Sequence, residues 1–480
     1  MKENAEHHAV GNMPVGPGLT KAQAERIYEQ GKEAVVFALL QLSKLAADQS
    51  PLNLPLAIAA DPSTPSAQKP VFVKPNSSRH KKPGRKIGHA GARRQRPRRI
   101  DRTEEHLARC CPDCGGVLNR GKQTRKRIVE DIPEAVQVET VEYVIHRDWC
   151  PACQKRVEPA VPCALPNASI GNGIVVLSAF LHFSLGNTLS QILDVFNYHL
   201  QFKMSPGGLV QMWHRLAEIL DAWYDEIAED VRHSGVLQGD ETGWRVNGKT
   251  HWLWCFTTRL ATLFTIEQSR AGPVVLEFIK DSFNGVLVSD FWYAYNVLSC
   301  AKQKCLAHLL RELKRVEQYK DAGDDWPRFA KLLKRLIRDA IRLRKQKAEL
   351  DASIYRRRGE RLAGRLQLLL VQDWHNKEVR RLIKRLTRHQ DEILTFLDHA
   401  EVPFDNNAAE RAIRGAVIMR KTSYNNRSDK GAATQSVLMS VFATLKQRGL
   451  NPVDTVKKAM GKYIETGHLP RLAEMAASNG

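Results

Sequence analysis

The chain has 480 residues, which is more than one hydrophobic core usually serves, so we expect several domains. Lys and Arg together number 73 against 52 Asp and Glu, and the formal charge of +21 favours a polyanionic partner, nucleic acid first, over a small acidic metabolite. No stretch approaches the roughly 18 apolar residues that a membrane span requires, and the N-terminus lacks the order of a signal peptide, so we expect a cytoplasmic protein.

The first hundred residues contain one helical stretch and a long linker. Residues 20–47 alternate charged and apolar side chains at helical spacing, although Gly31 weakens that helix. Prolines recur from Pro51 to Pro97 and exclude a continuous helix or a central strand. The second half of this linker carries only basic charge, which favours contact with DNA phosphates over the alternative of a solubilising tail. The basic residues that we expect to contact DNA are Lys81, Lys82, Arg85, Lys86, Arg93, Arg94, Arg96, Arg98 and Arg99.

Two CPxC pairs indicate a metal-binding module after the linker. Nine cysteines, an odd number, suit metal ligation in a reducing compartment better than a disulfide framework. Cys111, Cys114, Cys150 and Cys153 predict a tetrahedral Zn²⁺ site, with incidental reduced thiols as the alternative. Four thiolates leave no open coordination position, so this zinc ion would be structural. A β-hairpin predicted over residues 125–149 would bring the two pairs together.

Helices and then strands are expected after this module. The apolar segment 173–196 reads as helices with a Gly-Asn break, and residues 205–230 remain helical after an SPGG cap. The segments that follow are rich in Val, Trp, Phe and Thr and have short turns between them, which predicts three antiparallel strands over residues 235–269. A helix then leads to GVLVSD, an apolar strand typical of parallel sheets that are buried on both faces.

Three strands, a helix and a parallel fourth strand form the opening of a ribonuclease-H-like α/β domain. The long basic stretch 327–400 reads as a helical insertion, with core-facing positions at Leu332, Leu333, Leu336, Ile337, Leu382, Ile383 and Leu386. The predicted fold class is multidomain α/β: a ribonuclease-H-like mixed sheet with a large all-helical insertion, a small zinc-ribbon-like β module and a helical N-terminus.

We predict eight segments along the chain. They are an N-terminal helical segment (1–49), the Pro-rich and basic linker (50–105), the zinc-binding module (106–163), a helical DNA-binding or connecting region (164–234), the first part of the catalytic domain (235–310), the helical insertion (311–400), the rest of the catalytic domain (401–448) and C-terminal helices (449–480).

Three acidic residues are candidates for a site that binds divalent cations. Phosphoryl transfer between nucleic-acid strands uses two hard cations, Mg²⁺ or Mn²⁺, roughly 3.5–4 Å apart. Asp240 lies in the first strand, where alternation lets only one of Asp240 and Glu241 face the metals. Asp290 ends the buried fourth strand, where ligand sites open in parallel sheets, although a residue that merely caps the strand is the alternative.

The third candidate, Glu410, follows a helix start at 405–407. An exposed i,i+4 pair with Arg414 is its alternative, and Asp405 is its nearest rival. Basic residues near Glu410 either hold phosphates or form a solvated helix face; they are Arg411, Arg414, Arg420 and Lys421.

Other residues near these segments admit two roles. Cys305 and His308 have metal-like C-x-x-H spacing, but the pair falls in an amphipathic helix, which favours a structural role for Cys305. Four tryptophans could either stack on flipped DNA bases or pack in the protein core, and we favour core packing. They are Trp244, Trp252, Trp254 and Trp292.

Four segments resemble the catalytic motifs of the insertion-sequence-66 transposases: GDETGWRVNGKTHWLW, VLVSDFWYAYN, KCLAHLLRELK and PFDNNAAERAIRGAVIMRKTSYNNRSDKGA. These bacterial proteins have a ribonuclease-H-like DDE core, and the resemblance extends from PGRKIGHAG to the C-terminus. The family's DET, SDF and DNNxxER motifs imply that the metal ligands are Asp240, Asp290 and Glu410. Its CxAHxxRE pattern implies a DNA-contact or acid/base role for His308 and Arg311. Its zinc-binding domain implies recognition of terminal inverted repeats.

The resemblance implies Mg²⁺-dependent hydrolysis of 3′ ends and strand transfer between element ends and target DNA. It also implies a homo-oligomeric active complex, two small accessory proteins of the same element, and a nucleoid-associated location. Relatives commonly have long leucine-rich coiled coils at the N-terminus, whereas the helix here is short. Two other functions share these residues: a non-catalytic zinc-ribbon DNA-binding regulator, and a ribonuclease-H-like nuclease without strand transfer.

Overall fold

The computed structural model of this chain describes residues 9–10, 13–14, 21–29, 31, 35–36, 38–39, 100, 103, 114–117, 128, 138–161, 163–319, 325–423 and 425–477. The chain divides into two units, Met1–Asn76 and Ser77–Gly480. Within the described ranges, every helix is too short or too polar to cross a lipid bilayer.

The described residues of the first unit include a hairpin with two residues in each strand, one helix and further helical residues after it. Strand β1 (Ala9–Val10) pairs antiparallel with β2 (Met13–Pro14), and helix α1 spans Lys21–Glu29. Gly31 follows with a φ of +96°, a left-handed conformation that glycine adopts readily and that ends the helix. Helical residues resume at 35–36 and 38–39, so the helix predicted over residues 20–47 is interrupted at Gly31. Residues 40–47 lie outside the described ranges.

A second small hairpin lies beside the second cysteine pair. Strand β3 (Asp148–Cys150) pairs antiparallel with β4 (Lys155–Val157). The hairpin predicted over residues 125–149 is wrong for residues 138–147, which form no strand; residues 148–149 belong to β3 and pair with β4 instead. Residues 139–149 are exposed, and a two-stranded ribbon without a surface to pack on has little stability in water.

Three helices precede the main sheet: α2 (Asn172–Phe183), α3 (Leu189–Asp194) and α4 (Pro206–Arg232). The predicted Gly-Asn break between α2 and α3 is confirmed. Thr188 and Gln191 form a capping box at the start of α3, and Ser205 accepts a hydrogen bond from the Gly208 N–H at the start of α4. A π-helical turn (Val195–His199), which the sequence did not predict, follows α3.

The main sheet has five strands: β5 (Val236–Val246), β6 (Lys249–Thr257), β7 (Thr262–Glu267), β8 (Val286–Ser289) and β9 (Ala301–Lys304). Their order across the sheet is β7-β6-β5-β8-β9. The predicted antiparallel β5, β6 and β7 and the parallel β8 are confirmed. Helix α5 (Gly272–Ile279) leads to β8, and a 3₁₀ turn (Tyr293–Val297) follows it. Strand β9, parallel to β8, was not predicted, because Ala-Lys-Gln-Lys has no apolar run.

Nine helices follow the sheet in the described part of the chain. They are α6 (Leu306–Tyr319), α7 (Asp325–Lys345), α8 (Ala352–Val371), α9 (Lys377–Arg388), α10 (Thr395–Asp398), α11 (Asn407–Thr422), α12 (Asp429–Gln447), α13 (Pro452–Thr466) and α14 (Leu472–Ala477). The chain is therefore a mixed α/β protein with one mixed sheet and many helices.

The sheet separates two hydrophobic cores. Val286 and Val288 face a core formed with helices α6–α10, whereas Leu287 faces the core that contains α2, α4, α12 and α13. Most of the predicted core positions of the helical stretch are buried, but Leu332 is 40% exposed, because the apolar face of α7 is set by Leu333, Leu336 and Ile337.

Candidate active site

Two aspartates lie near the same level of adjacent parallel strands, Asp240 within β5 and Asp290 directly after the end of β8. Strands β5 and β8 pair with Val236 opposite Val286 and Gln238 opposite Val288. Continuing this register by two residues places Asp240 level with Asp290. Because side chains alternate along a strand, we expect Asp240, and Asp290 if the alternation of β8 continues for one more residue, on the face that Val286 and Val288 present to the α6–α10 core. Neighbouring strands lie about 4.8 Å apart, so the two carboxylates are close enough to share cations.

Glu241 points to the opposite face and is fully engaged there. Its Oε1 accepts hydrogen bonds from Nε and Nη2 of Arg270 at 3.0 and 2.6 Å, and its Oε2 accepts one from the Tyr295 hydroxyl at 2.6 Å. The Arg270 guanidinium lies 3.7 Å from the ring centre of Trp292 and 4.5 Å from that of Trp252. Glu241 is thus a buried, paired carboxylate, as alternation along the strand requires when Asp240 faces the other way.

Gly239 allows Tyr295 to reach Glu241. A Cβ at Gly239 would lie 2.8 Å from Tyr295 Cε1, inside the distance that real side chains tolerate. We therefore expect Gly239→Ala to displace the tyrosine ring and to lower the free energy of unfolding by about 1–3 kcal/mol, as overpacking of a core does. Urea denaturation measures this loss. Gly235→Ala, at an exposed position before β5 where the added Cβ meets open space and φ is not left-handed, is the control for the general cost of replacing a glycine; equal losses in both variants would contradict the packing argument.

The helix that carries Glu410 is attached directly to β5. Its predicted start is confirmed: α11 begins at Asn407, with Asn406 at the N-cap. Asn406 does not cap the helix with its side chain; its Nδ2 donates to the Gly239 carbonyl at 2.7 Å instead. Asp405 takes over the capping, since its Oδ1 accepts from the Asn407 N–H at 3.2 Å. Glu410, in the first turn of α11, is thereby held near the strand that carries Asp240.

A second helix start lies against Glu410. The Cys305 N–H donates to the Ser289 carbonyl at 2.8 Å, which places the start of α6 beside the end of β8. His308 Nδ1 lies 3.5 Å and Arg311 Nη2 lies 2.5 Å from Glu410 Oε1. The ion pair of Glu410 is therefore made with Arg311 across two helices. Cys305 is buried and immediately precedes α6 rather than lying within it.

The electrostatics reflect this convergence of carboxylates. Burial raises the pKa of Asp240 well above its usual value, and Glu241, Asp290 and Glu410 raise it further. Burial, with a contribution from Asp290, raises the pKa of Glu241 to about 7 against the opposing effect of Arg270. Burial and Arg311 lower the pKa of His308. Carboxylate oxygens that repel one another and converge on one place are the donors that Mg²⁺ and Mn²⁺ prefer.

The basic residues of α11 divide into two groups. Arg420 is half-buried and donates to Thr242 Oγ1 at 3.2 Å and to the Gly243 carbonyl, so it attaches the end of α11 to β5. Arg411, Arg414 and Lys421 are exposed along the same helix. Phosphate contact therefore remains a prediction for these three side chains alone.

The tryptophans are occupied within the protein. Trp244 and Trp254 are buried, and their indole N–H groups donate to Asn426 Oδ1 at 2.7 Å and to the Ser269 carbonyl at 3.2 Å. The preference for core packing is confirmed for both residues. Trp252 and Trp292 are partly buried and enclose Arg270.

Part of the cysteine cluster lies within the described residues. Cys150 ends β3, and Cys153 lies in the turn before β4. Hydrogen bonds from the backbone and side chain of Cys153 lower the pKa of Cys150, which favours the thiolate that a metal requires. Cys114 is described and exposed, whereas Cys111 lies outside the described residues. The predicted DNA contacts Lys81, Lys82, Arg85, Lys86, Arg93, Arg94, Arg96, Arg98 and Arg99 also lie outside them.

Sequence reasoning missed three residues that shape the site. Asn406 attaches the Glu410 helix to β5, and Arg270 and Tyr295 hold Glu241. Asn406 lies within the DNNxxER motif, directly before the predicted helix start, so the sequence could have indicated a structural role for it. Arg270 follows a strand in an ordinary polar turn, and only the fold brings it to Glu241.

Comparisons with known proteins identify the family of this chain. The family model described as "Transposase IS66 family" matches residues 167–434, more than half of the chain. Two relatives from Sinorhizobium fredii are similar over most of their length. "Uncharacterized protein y4jD" is 24% identical over 397 residues, which cover 74% of each chain. "Uncharacterized protein y4hP" is 22% identical over 380 residues, which cover 71% of this chain and 68% of the relative. The protein therefore belongs to the IS66 family of transposases.

Proposed function

We propose that this protein is the DNA transposase of a bacterial insertion sequence and that Asp240, Asp290 and Glu410 hold two Mg²⁺ or Mn²⁺ ions. The observation that carries this proposal is the common register of Asp240 and Asp290 on β5 and β8, beside the helix that carries Glu410. Three carboxylates on two adjacent strands and one attached helix form the donor set that two-metal phosphoryl transfer requires.

The strand order supports a ribonuclease-H-like catalytic domain. Three antiparallel strands followed by two parallel ones, with β5 in the centre, form the mixed sheet expected of that domain. We propose that residues 235–310 and 401–448 make up the catalytic domain and that helices α6–α10 belong largely to an insertion between them. Residues 106–163 would form the zinc-binding module, preceded by the basic linker.

The proposed reaction has two steps. Water attacks the phosphorus at the element end, and the 3′-oxygen leaves; the freed 3′-hydroxyl then attacks a phosphorus in target DNA. The bound cations would activate the attacking oxygen and stabilise the leaving oxygen. Arg311 neutralises Glu410 across the two helix starts, and His308 lies beside the same carboxylate. Exposed Arg411 and Arg414 lie in the same part of α11 and could position DNA phosphates.

Incubation of the full-length protein with end-containing DNA, target DNA and Mg²⁺ tests the proposal. We expect cleaved 3′ ends and joined products, both absent with Asp290→Ala and both retained with Asp281→Ala, an exposed aspartate in the turn before β8. Cleavage without joining would support a nuclease, and binding without cleavage would support a DNA-binding regulator. Either outcome would overturn the proposed transposition.

The zinc-binding module is proposed to recognise the terminal inverted repeats. We expect Cys114→Ser to lose bound zinc and to lose most of its preference for end DNA, because a closed thiolate site holds its module folded. Atomic absorption measures the zinc, and binding competition between end and random DNA measures the preference. Cys300→Ser is the control, because Cys300 directly precedes β9 of the main sheet and is not a predicted zinc ligand. End preference that survives zinc loss would contradict the assignment.

The remaining partners are part of the same proposal. We propose a homo-oligomeric active complex at the element ends, two small accessory proteins of the same element, and a cytoplasmic, nucleoid-associated location. The strongly basic linker would contribute affinity that falls steeply with salt, because each phosphate contact releases counterions.

A further inference from the structure

Two helix starts bring a cysteine, a histidine and Glu410 together. Among the residues that the structure describes, the Cys305 sulfur, a ring nitrogen of His308 and a carboxylate oxygen of Glu410 all lie within 4.8 Å of one another. Cys305 immediately precedes α6 and His308 lies in its first turn, so the C-x-x-H spacing places both on one side of the helix start. Glu410 approaches from the first turn of α11.

The backbone around this cluster is held in place on three sides. The Cys305 N–H donates to the Ser289 carbonyl at 2.8 Å, and the Leu306 N–H donates to the Phe404 carbonyl at 2.9 Å. The Asn406 N–H donates to the Cys305 sulfur at 3.2 Å. The two helix starts therefore share hydrogen bonds with β8 and with each other, and the three side chains are preorganised rather than brought together by chance on a surface.

His308 gives an independent indication that this cluster can bind a ligand. Its Nδ1 is buried, and no atom of the described residues forms a hydrogen bond with it. Glu410 Oε1 lies 3.5 Å from it, beyond a good hydrogen bond. An unpaired buried polar atom costs about 1–3 kcal/mol, and a metal ion bound between the imidazole and the carboxylate would remove that cost.

The donor types decide which cation fits. A thiolate, an imidazole and a carboxylate suit Zn²⁺ and similar transition-metal ions, whereas Mg²⁺ prefers oxygen donors alone. Tetrahedral zinc with bonds of about 2.0–2.3 Å needs ligand atoms roughly 3.3–3.8 Å apart, a contraction that side-chain rotation within the observed cluster can supply. Three protein donors leave a fourth position for water.

We propose that Cys305, His308 and Glu410 form a transition-metal site, selective for Zn²⁺ over Mg²⁺, that shares Glu410 with the active site. Metal binding releases the Cys305 thiol proton to solvent and replaces the Arg311 contact of Glu410. Occupation of this site withdraws Glu410 from the Mg²⁺ ions, so micromolar Zn²⁺ inhibits the DNA reactions. This inhibitory consequence rests on the proposed function, but the binding site itself does not.

Cobalt spectroscopy tests the binding without DNA. Full-length protein purified with zinc is treated briefly with EDTA, which strips an open three-ligand site more readily than a closed four-thiolate site, and is then titrated with Co²⁺. We expect one equivalent to produce a thiolate-to-cobalt charge-transfer band together with the visible bands of tetrahedral cobalt. Cys305→Ser is expected to lose the charge-transfer band, and Cys300→Ser to retain it. His308→Ala should weaken binding by at least about tenfold, the lower end of the cost of disturbing a metal shell.

Two outcomes would overturn the site: a charge-transfer band that is unchanged in Cys305→Ser, or no band in the unaltered protein. Thermal unfolding without metal shows whether each variant is folded. Loss of the charge-transfer band indicates loss of a metal ligand when the variant keeps the unfolding midpoint of the unaltered protein. DNA cleavage in Mg²⁺ then measures the consequence: the Zn²⁺ concentration that halves the rate should rise at least about tenfold in Cys305→Ser. An absence of cleavage under all conditions would overturn the proposed function and leave the cobalt result standing.

Discussion

Replacing Asp240 with Asn is expected to abolish Mg²⁺-dependent DNA cleavage while stabilising the metal-free protein. The loss of a ligand from a two-metal site removes several kcal/mol of transition-state stabilisation, and about 4 kcal/mol corresponds to a rate loss of roughly a thousandfold. The gain in stability arises because Asp240 is buried among Glu241, Asp290 and Glu410, all of which raise its pKa. Asn keeps the shape of the side chain and removes the repelled charge.

The same shift predicts how stability depends on pH. The pKa of Asp240 is higher in the folded protein than in the unfolded chain, so the folded state binds more protons between those two values. In EDTA, the unfolding midpoint of the unaltered protein should therefore fall as pH rises from about 4 towards neutrality. This fall should be smaller in Asp240→Asn, and Mg²⁺ should raise the midpoint of the unaltered protein more than that of the variant.

Glu241→Gln is the matched control for this prediction, because Glu241 is the next residue of the same strand and faces the other way. We expect it to retain cleavage at a reduced rate, since both oxygens of Glu241 are already bound by Arg270 and Tyr295. If Glu241→Gln abolishes cleavage while Asp240→Asn retains it, the proposed choice between the two residues is wrong.

Replacing Arg270 with Ala is expected to be the most destabilising single substitution around the site. The buried Glu241 carboxylate would lose the Arg270 guanidinium that neutralises it, and breaking a buried ion pair in this way lowers the free energy of unfolding by about 3–5 kcal/mol. The loss should extend to the proposed metal site, because the Arg270 guanidinium stacks on the Trp292 ring at 3.7 Å and the Trp292 backbone N–H donates to Asp290 Oδ1 at 2.8 Å. We therefore expect weaker Mg²⁺ binding as well as a lower unfolding midpoint.

Three comparisons isolate the role of Arg270. Arg245→Ala removes an exposed arginine from the same strand as Glu241 and should cost little. Arg270→Lys keeps the charge but loses the two-nitrogen contact and the stacking on Trp292, so an intermediate loss is expected. The double variant Glu241→Gln/Arg270→Ala should be more stable than Arg270→Ala alone, because no charge remains unpaired; simple additivity of the two losses would contradict the proposed pairing.

A structural element could be predicted from the sequence when the residues that determine it lie close together in the chain. Strands β5 to β8 and the start of α11 were predicted, because alternation, short turns and cap residues act over a few neighbouring positions. Strand β9 was not predicted, because its polar residues Gln303 and Lys304 are buried by partners that lie far away in the sequence. Gln303 forms hydrogen bonds with Phe396 and Ile393. Lys304 contacts Ser289 and Glu392. The misplaced hairpin at 125–149 shows the converse: β-propensity without a packing surface did not make a strand over residues 138–147.

By itself, the sequence determined the nature of the candidate ligands and the elements that carry them: Asp240 within a strand, Asp290 at a strand end and Glu410 in a first helical turn. Only the tertiary structure decided their relation. The common register of β5 and β8 places the two aspartates level, Asn406 attaches the Glu410 helix to β5, and Arg270 holds Glu241 on the opposite face. Hydrogen bonds and ion pairs between residues far apart in the chain determine these positions. Local patterns of charge and hydrophobicity do not reveal such long-range contacts.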